Sequence, residues 1–468
     1  MKFSKYDEQN KNYWLNSIRN NTIRPKLKES LNVDIAILGA GFTGLWTAYY
    51  LKKKSPSLRI AIFEKEEVGY GASGRNGGWC SPKFSVTPSK SIERFGLEET
   101  KKLFHTMIGS VKEIEKVIEN EKLEVDWKKS GSLKVARGEH LLPKLEEEMN
   151  IYKNLNLEKH FSLLSETESN EHIQINNLKG SILTNPSAVV HPGKLVKQLA
   201  HILEEKGIDI YEQTKILKYK EGSFTKKPEL ITKNGKVTAE HAVVVAGESY
   251  LSQLSAFKRR IIPMYTSIVL TEPLSDSQWK EIGWENRETI GSTNLSVDYL
   301  QRTKDNRILF GLGNSAPYHY ASKMKEKYTT YEPSISLQKK RALKWFPNLK
   351  ESQFSYKWGG PIGVTRDWTP NIKFNNKTKI AHAWGFAGQG VSTSNLAGRI
   401  LCDLIHEEET LETTLPMVNH TSPKWELEPF RWLGAKYIKF AMNRLDDKSE
   451  TEGIAPKGKT IAEKLIEH

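Results

Sequence analysis

Apolar residues run along this chain in two rhythms. Val33 to Leu38 is a short, β-branched run of the kind that forms a strand buried on both faces of a parallel sheet. Leu45 to Lys53 continues without Gly or Pro as a helix, and Arg59 to Phe63 reads as the next strand. Ile208 to Glu212, Ala242 to Ala246 and Ile380 to Trp384 have similar strand character. Leu103, Met107, Val111, Ile114 and Val117 recur at helical spacing, which predicts a surface helix over 97–121. Further helices are predicted over 142–155, 194–206, 337–345 and 391–405. His191-Pro192-Gly193 opens the second of these as a helix entry, and Gly207 closes it.

The other rhythm is alternation. Arg260 to Thr271, Val297 to Arg302 and Arg307 to Gly311 read as strands of an antiparallel sheet, with a turn at Lys304-Asp305-Asn306. Gly131 to Ala136 is another strand. Phe354 to Trp358 returns as a strand and is expected to break at Gly359-Gly360-Pro361-Ile362-Gly363. The chain has 468 residues, more than one core usually supports, and the two rhythms interleave. Two domains follow, each assembled from separate pieces. Residues 33–91, 188–258 and 351–420 are expected to form one, and 92–187 with 259–350 the other. Residues 1–32 read as an arm anchored by Tyr13, Trp14 and Leu15, and 421–468 as a C-terminal helical extension.

Composition narrows the class. No run of about 18 apolar residues exists, so no membrane span is expected. Residues 1–30 lack the apolar core of a secretory signal. Cys80 and Cys402 are the only cysteines, which argues against a disulfide scaffold or a cysteine metal cluster and fits a cytoplasmic protein. The net charge of +14 comes from lysines mixed with Glu and Asp, the pattern of a solvated basic surface rather than a nucleic-acid site.

Chemistry enters at the end of the first strand. Gly39-x-Gly41-x-x-Gly44 spans the turn into the helix begun by Phe42 and Thr43, and Glu64 ends the second strand. The glycines suit a tight turn, close backbone approach to a pyrophosphate and close helix packing. A carboxylate at the second strand tip suits ribose hydroxyls. The helix N-terminus favours phosphate. The order strand, glycine turn, helix, strand, acid points to a dinucleotide without separating NAD from FAD. A second glycine-rich loop, Gly69 to Cys80, must bring backbone close to something flat or charged.

With Gly71-Ala72-Ser73-Gly74-Arg75-Asn76-Gly77-Gly78, Trp358-Gly359-Gly360-Pro361 and Gly385-Phe386-Ala387-Gly388-Gln389-Gly390-Val391-Ser392, nearly the whole chain resembles the D-amino-acid oxidase (DAO) family of FAD-dependent oxidoreductases. Within it, the chain is most similar to the γ-glutamylputrescine oxidase-like and aminophosphonate oxidoreductase branch. The resemblance implies an α/β fold: a glutathione-reductase-type, Rossmann-like FAD-binding domain and an α+β substrate domain built on an antiparallel sheet. It implies that FAD lies along Gly39, Gly41, Phe42, Thr43, Gly44 and Glu64. The flavin would sit between the loop of Ser73, Arg75, Asn76, Gly77 and Gly78 and the turn of Gly388, Gln389, Gly390 and Val391.

The implied reaction is oxidation of the C–N bond of a small amine or amino acid, including anionic ones such as aminophosphonates. Hydride passes to flavin N5 and the imine hydrolyses. Tyr299, Gln301 and Arg302 would form the catalytic wall. Strand alternation puts Tyr299 and Gln301 on one face and Arg302 on the other, so Arg302 is either an anion clamp or a structural ion pair. Trp79, Tyr318, His319, Trp358 and Arg366 are further candidates. Relatives that attach flavin covalently use a Cys or His that is absent from the corresponding motifs here, so FAD is expected to be non-covalent and Cys80 a buried structural thiol. Sarcosine-oxidase-like relatives carry an oxygen-activating Lys in the strand resembling Arg307 to Gly311, which has none. A dehydrogenase using a quinone or protein acceptor is therefore the rival to an oxidase. A tRNA-modifying flavoprotein is a more distant alternative, and no metal is expected. Pro429 to Leu445 is amphipathic and basic, and is expected to dock on its own protein rather than on a membrane.

Overall fold

The computed structural model describes residues 12–18 and 24–456. Parts of the expected N-terminal arm (1–11 and 19–23) and the end of the C-terminal extension (457–468) lie outside the described residues.

Two eight-stranded sheets organise the chain. In the first, Ile380–Trp384, Lys236–Val245, Leu31–Leu38, Ile60–Phe63 and Asp209–Tyr211 lie side by side in parallel. Their apolar residues are covered on both faces, as the near-continuous hydrophobic runs require. Helices Phe42–Lys54 and Gly390–Ile405 pack together on one face, around Leu45, Trp46, Leu396 and Ile400.

The second sheet runs in the order Phe354–Val364, Ile262–Thr271, Ile308–Ala316, Asp298–Arg302, Thr289–Ser292, Ser132–Arg137, Leu178–Thr184, Phe161–Leu164. It is antiparallel except where Thr289–Ser292 lies parallel to Ser132–Arg137. Phe354–Val364 belongs here, although the sequence division places residues 351–420 with the parallel sheet. It also runs unbroken through Gly359 to Gly363. It is the edge strand, so Pro361 removes no ladder bond on its unpaired side.

Helix Leu97–Asn120 carries the expected stripe, with Leu103, Met107, Val111, Ile114 and Val117 all buried. Trp14 is 1% exposed, and its indole N–H donates to the Asn76 carbonyl at 2.8 Å. The arm thus braces the second glycine loop. His191 is the N-cap of Pro192–Glu205, its ring accepting from the Lys194 amide at 3.1 Å. Burial pushes its pKa down to about 4. The extension carries a long helix, Phe430–Glu452.

Candidate active site

Register places the first cleft. Leu38 pairs with both Phe63 and Val245, so Gly39, Glu64 and Ala246 emerge together at the carboxyl ends of three parallel strands. Gly39 has φ +102°, and a Cβ there would come within 2.6 Å of the Ala246 carbonyl oxygen, so no other residue fits this turn. The Phe42 amide at the helix start donates to the Ser73 hydroxyl at 2.8 Å, tying the two glycine loops together. Glu64 accepts from the amides of Ala40 and Glu66, each at 3.0 Å, while burial raises its pKa. Gly39, Gly41, Phe42, Thr43 and Glu64 line a cavity of about 490 Å³ that reaches Gly388, Gly390 and Val391.

A second cavity, of about 720 Å³, adjoins it. Both are lined by Ala72, Asn76, Pro361, Ile362, Gly388 and Val391. Asn76 shapes the wall between them. Its side-chain oxygen accepts from the Gly78 amide at 2.8 Å, and its NH₂ donates to the Ala72 and Ser73 carbonyls. Arg75 donates through Nε to the Tyr70 carbonyl at 2.7 Å and through Nη1 to the Gly359 carbonyl, with its guanidinium over the Tyr70 ring. Trp358 donates to the Arg75 carbonyl at 3.0 Å. From the opposite side come the turn at Gly388 and the N-terminus of helix Gly390–Ile405, with Gln389 facing the larger cavity. Two joined compartments, one with a glycine turn and strand-end acid and one walled by glycine-loop backbone, fit a dinucleotide whose second half carries a large ring.

The family model for FAD dependent oxidoreductases (DAO) matches residues 34–404. The chain belongs to this family. FAD is its cofactor. The probable oxidoreductase OrdL of Haemophilus influenzae is 27% identical over 414 residues, 86% of this chain and 89% of that protein. The gamma-glutamylputrescine oxidoreductase of Escherichia coli is 27% identical over 418 residues, covering 88% and 93%. Among solved structures, glycine oxidase from Geobacillus kaustophilus superposes with a TM-score of 0.66 at 21% identity, covering 83% of this chain and 98% of that one. L-proline dehydrogenase from P. horikoshii gives 0.65 at 19%, covering 84% and 96%.

Against this FAD fold, the three residues expected to form the catalytic wall separate. Tyr299 lines the larger cavity, edge-on to Trp79, with ring centroids 6.3 Å apart. Burial raises its phenol pKa. Gln301 lies on the same side of the strand but lines neither cavity. It is 1% exposed, and its side-chain oxygen sits against Gly78 without a hydrogen bond. Arg302 does not reach the cavities. Strand alternation turns it to the far side, where its guanidinium lies 3.9 Å from the Trp279 ring centroid and donates to the Trp284 carbonyl and the Asn306 side chain. It cannot clamp a substrate anion from there. Trp79, Tyr318 and Arg366 line the larger cavity, with Arg366 paired to Glu426 at 2.9 Å. His319 stacks on Tyr328, and Trp358 is a buried strut for the loop. Cys80 is buried and lines neither cavity.

Three site residues escaped the sequence reading. Lys83, just past the second glycine loop, lines the larger cavity with its Nζ 5.4 Å from the Trp79 ring centroid. Lys439 enters from the C-terminal helix and donates to the Ser315 carbonyl. Among the described residues neither is ion-paired, and burial pushes each pKa down to about 8, with Lys134 adding to the effect at Lys83. Nearby Glu148 is already engaged by Lys134 and by the Tyr152 hydroxyl at 3.0 Å. Burial pushes its carboxyl up, but these partners and Lys83 outweigh that and hold it below the usual range. The third is Glu248, on the wall of the smaller cavity. It accepts from the Gly385 and Phe386 amides at 3.1 and 3.0 Å, yet burial lifts its pKa to about 7. A regular pattern could have shown none of the three, because each reaches its cavity through packing between distant segments.

Proposed function

We propose that this FAD-dependent oxidoreductase oxidises the C–N bond of a small amine or amino acid that carries a second, anionic group. Gly39, Gly41, Phe42, Thr43 and Glu64 would hold the ADP half of FAD. Ser73 to Gly78, with Gly388 to Val391, would flank the ring. When bound, FAD supplies the two-electron acceptor for the substrate C–H bond.

The observation that carries the anionic substrate is the presence of two buried lysines, Lys83 and Lys439, on the wall of the larger cavity. Among the described residues Lys439 has no carboxylate partner and Lys83 only the field of Glu148, which Lys134 already engages. A buried ammonium so placed is costly, and a bound carboxylate or phosphonate relieves that cost. Each of these cations offers a seat for the acid end of the substrate, while Tyr299 and Trp79 form an apolar wall that excludes water from the carbon to be oxidised. Relatives and neighbours named gamma-glutamylputrescine oxidoreductase, glycine oxidase and L-proline dehydrogenase support the amine class.

For the electron acceptor, Ile308–Ala316 contains no lysine, which favours a quinone or protein over oxygen. The test is an anaerobic screen of amines, amino acids and aminophosphonates for loss of oxidised-flavin absorbance. Bleaching is expected from anionic amines. Bleaching by no amine overturns the reaction class, and equal bleaching by neutral amines overturns the role of the lysines. Reoxidation by a soluble quinone analogue but not by air is the expected acceptor result.

A further inference from the structure

The C-terminal helix Phe430–Glu452 has two faces. Its inner face is fastened at both ends. Arg431 bonds Glu428 and the Lys258 carbonyl, and Asp446 accepts from the Leu295 and Ser296 amides. Between these anchors, Ala435, Ile438, Lys439 and Met442 line the larger cavity, and the exposed Phe430, Lys436 and Tyr437 border it as well.

The outer face is apolar where an ordinary surface helix is polar. Phe430 is 71% exposed, Leu433 51%, Tyr437 49% and Phe440 63%. At 100° per residue these four fall within an arc of about 80°, along roughly 15 Å of helix. Leu427 extends the patch before the helix begins, at 62% exposed. The anchored inner face prevents the helix from turning this stripe inward. A row of large apolar side chains held outward marks an interaction surface.

Charge identifies the occupant. Arg444 falls within the same arc and Lys436 flanks it, both exposed; residues 430–445 contain no Asp or Glu, and the first acid on this side, Asp447, lies beyond the apolar stripe. A two-fold contact with a second copy of the chain would set this basic face against itself. An anionic surface that also accepts apolar side chains suits it, and a bilayer containing acidic lipid is such a surface.

We propose that the outer face of this helix seats the enzyme on anionic membranes, with Phe430, Leu433, Tyr437 and Phe440 in the headgroup–acyl boundary and Lys436 and Arg444 against lipid phosphates. The helix lies in the plane of the interface and does not cross it. The larger cavity, which Phe430, Lys436 and Tyr437 also border, then lies against the membrane face.

The test is co-sedimentation of the holoenzyme with vesicles of phosphatidylcholine, with and without phosphatidylglycerol. The protein is expected to pellet with the acidic vesicles at low salt and to be released by high salt. The double variant Leu433→Asp/Phe440→Asp should bind at least tenfold more weakly, and Arg444→Glu severalfold more weakly. Leu433, Phe440 and Arg444 lie outside both cavities, so flavin absorbance confirms that each variant is folded and loaded. Failure of the wild type to pellet with any vesicle overturns the proposal, as does equal pelleting of the double variant. A wild-type dimer in solution that the double variant dissociates overturns it in favour of a self-contact.

Discussion

Gly77 faces the ring of Tyr299 so closely that a Cβ on it would lie 2.9 Å from two ring carbons. The second glycine loop and the antiparallel sheet meet at this point. The contact sets where the wall of the larger cavity stands relative to the loop proposed to flank the flavin.

Gly77→Ala should displace either the ring or the loop. The expected cost is about 1–3 kcal/mol of stability, as for other overpacked sites, together with a lower rate of flavin reduction. Tyr299→Ala in the same chain removes the clash, so a double-mutant cycle by denaturant melting should give less than the sum of the single losses. Additive losses would show that the two residues do not meet.

The cavity lysines predict a pH signature. Lys83 and Lys439, each with a pKa of about 8, are charged below that pH and lose their charge above it. Discrimination in kcat/KM between an anionic amine and its neutral analogue should therefore be constant below about pH 7 and fall above pH 8, by about tenfold or more. With analogues matched in amine pKa, the ratio cancels titration of the substrate amine itself. A ratio flat to pH 10 would remove the lysines from substrate binding.

Glu248 predicts a dependence of stability on pH. Its carboxyl holds a proton up to about pH 7 in the folded chain, against an ordinary value of 4.5. The folded state therefore binds the proton more tightly than the unfolded state. Stability from this group is full below about pH 4.5, is lost as pH rises towards 7, and changes no further above that. Glu248→Gln should flatten this decline by on the order of 2–3 kcal/mol, read from urea melts at pH 5 and pH 8. An unchanged slope in the variant would place the titrating group elsewhere.

Arg302→Ala should act on the fold and not on the substrate. Loss of the stack on Trp279 and of the bond to the Trp284 carbonyl is expected to cost about 1–2 kcal/mol, while KM for an anionic amine stays within twofold. A large rise in KM for anionic amines alone would restore the clamp that the structure removes.

What could be read in advance was what local sequence determines. The turn at Gly39, the acid at Glu64 and the strands around them depend on neighbours a few positions away, and the structure places them together at one cleft. Alternation correctly set Tyr299 and Arg302 on opposite sides of one strand, but only tertiary structure shows which side holds the cavity. Phe354–Val364 was expected to stop at its glycines because strand propensity is local. Its pairing with Ile262–Thr271 carries it through. Lys83 sits in an irregular loop, and Lys439 reaches the cavity from a helix some 350 residues further along the chain. No window of sequence joins them. The basic, amphipathic stretch 429–445 was visible, and docking against the protein does account for its inner face. The exposed stripe on its outer face emerged only once the body of the protein was in place.

The two lysines that face the larger cavity decide the proposed substrate class, and the most direct measurement is the anaerobic reductive half-reaction of the holoenzyme carrying Lys83→Met and Lys439→Met together. Rapid mixing with an anionic amine and with its neutral analogue gives the apparent dissociation constant and the limiting rate of flavin bleaching for each. At least tenfold weaker binding of the anionic amine is expected, with little change for the neutral one. Equal changes for both, or none for either, would contradict that substrate class.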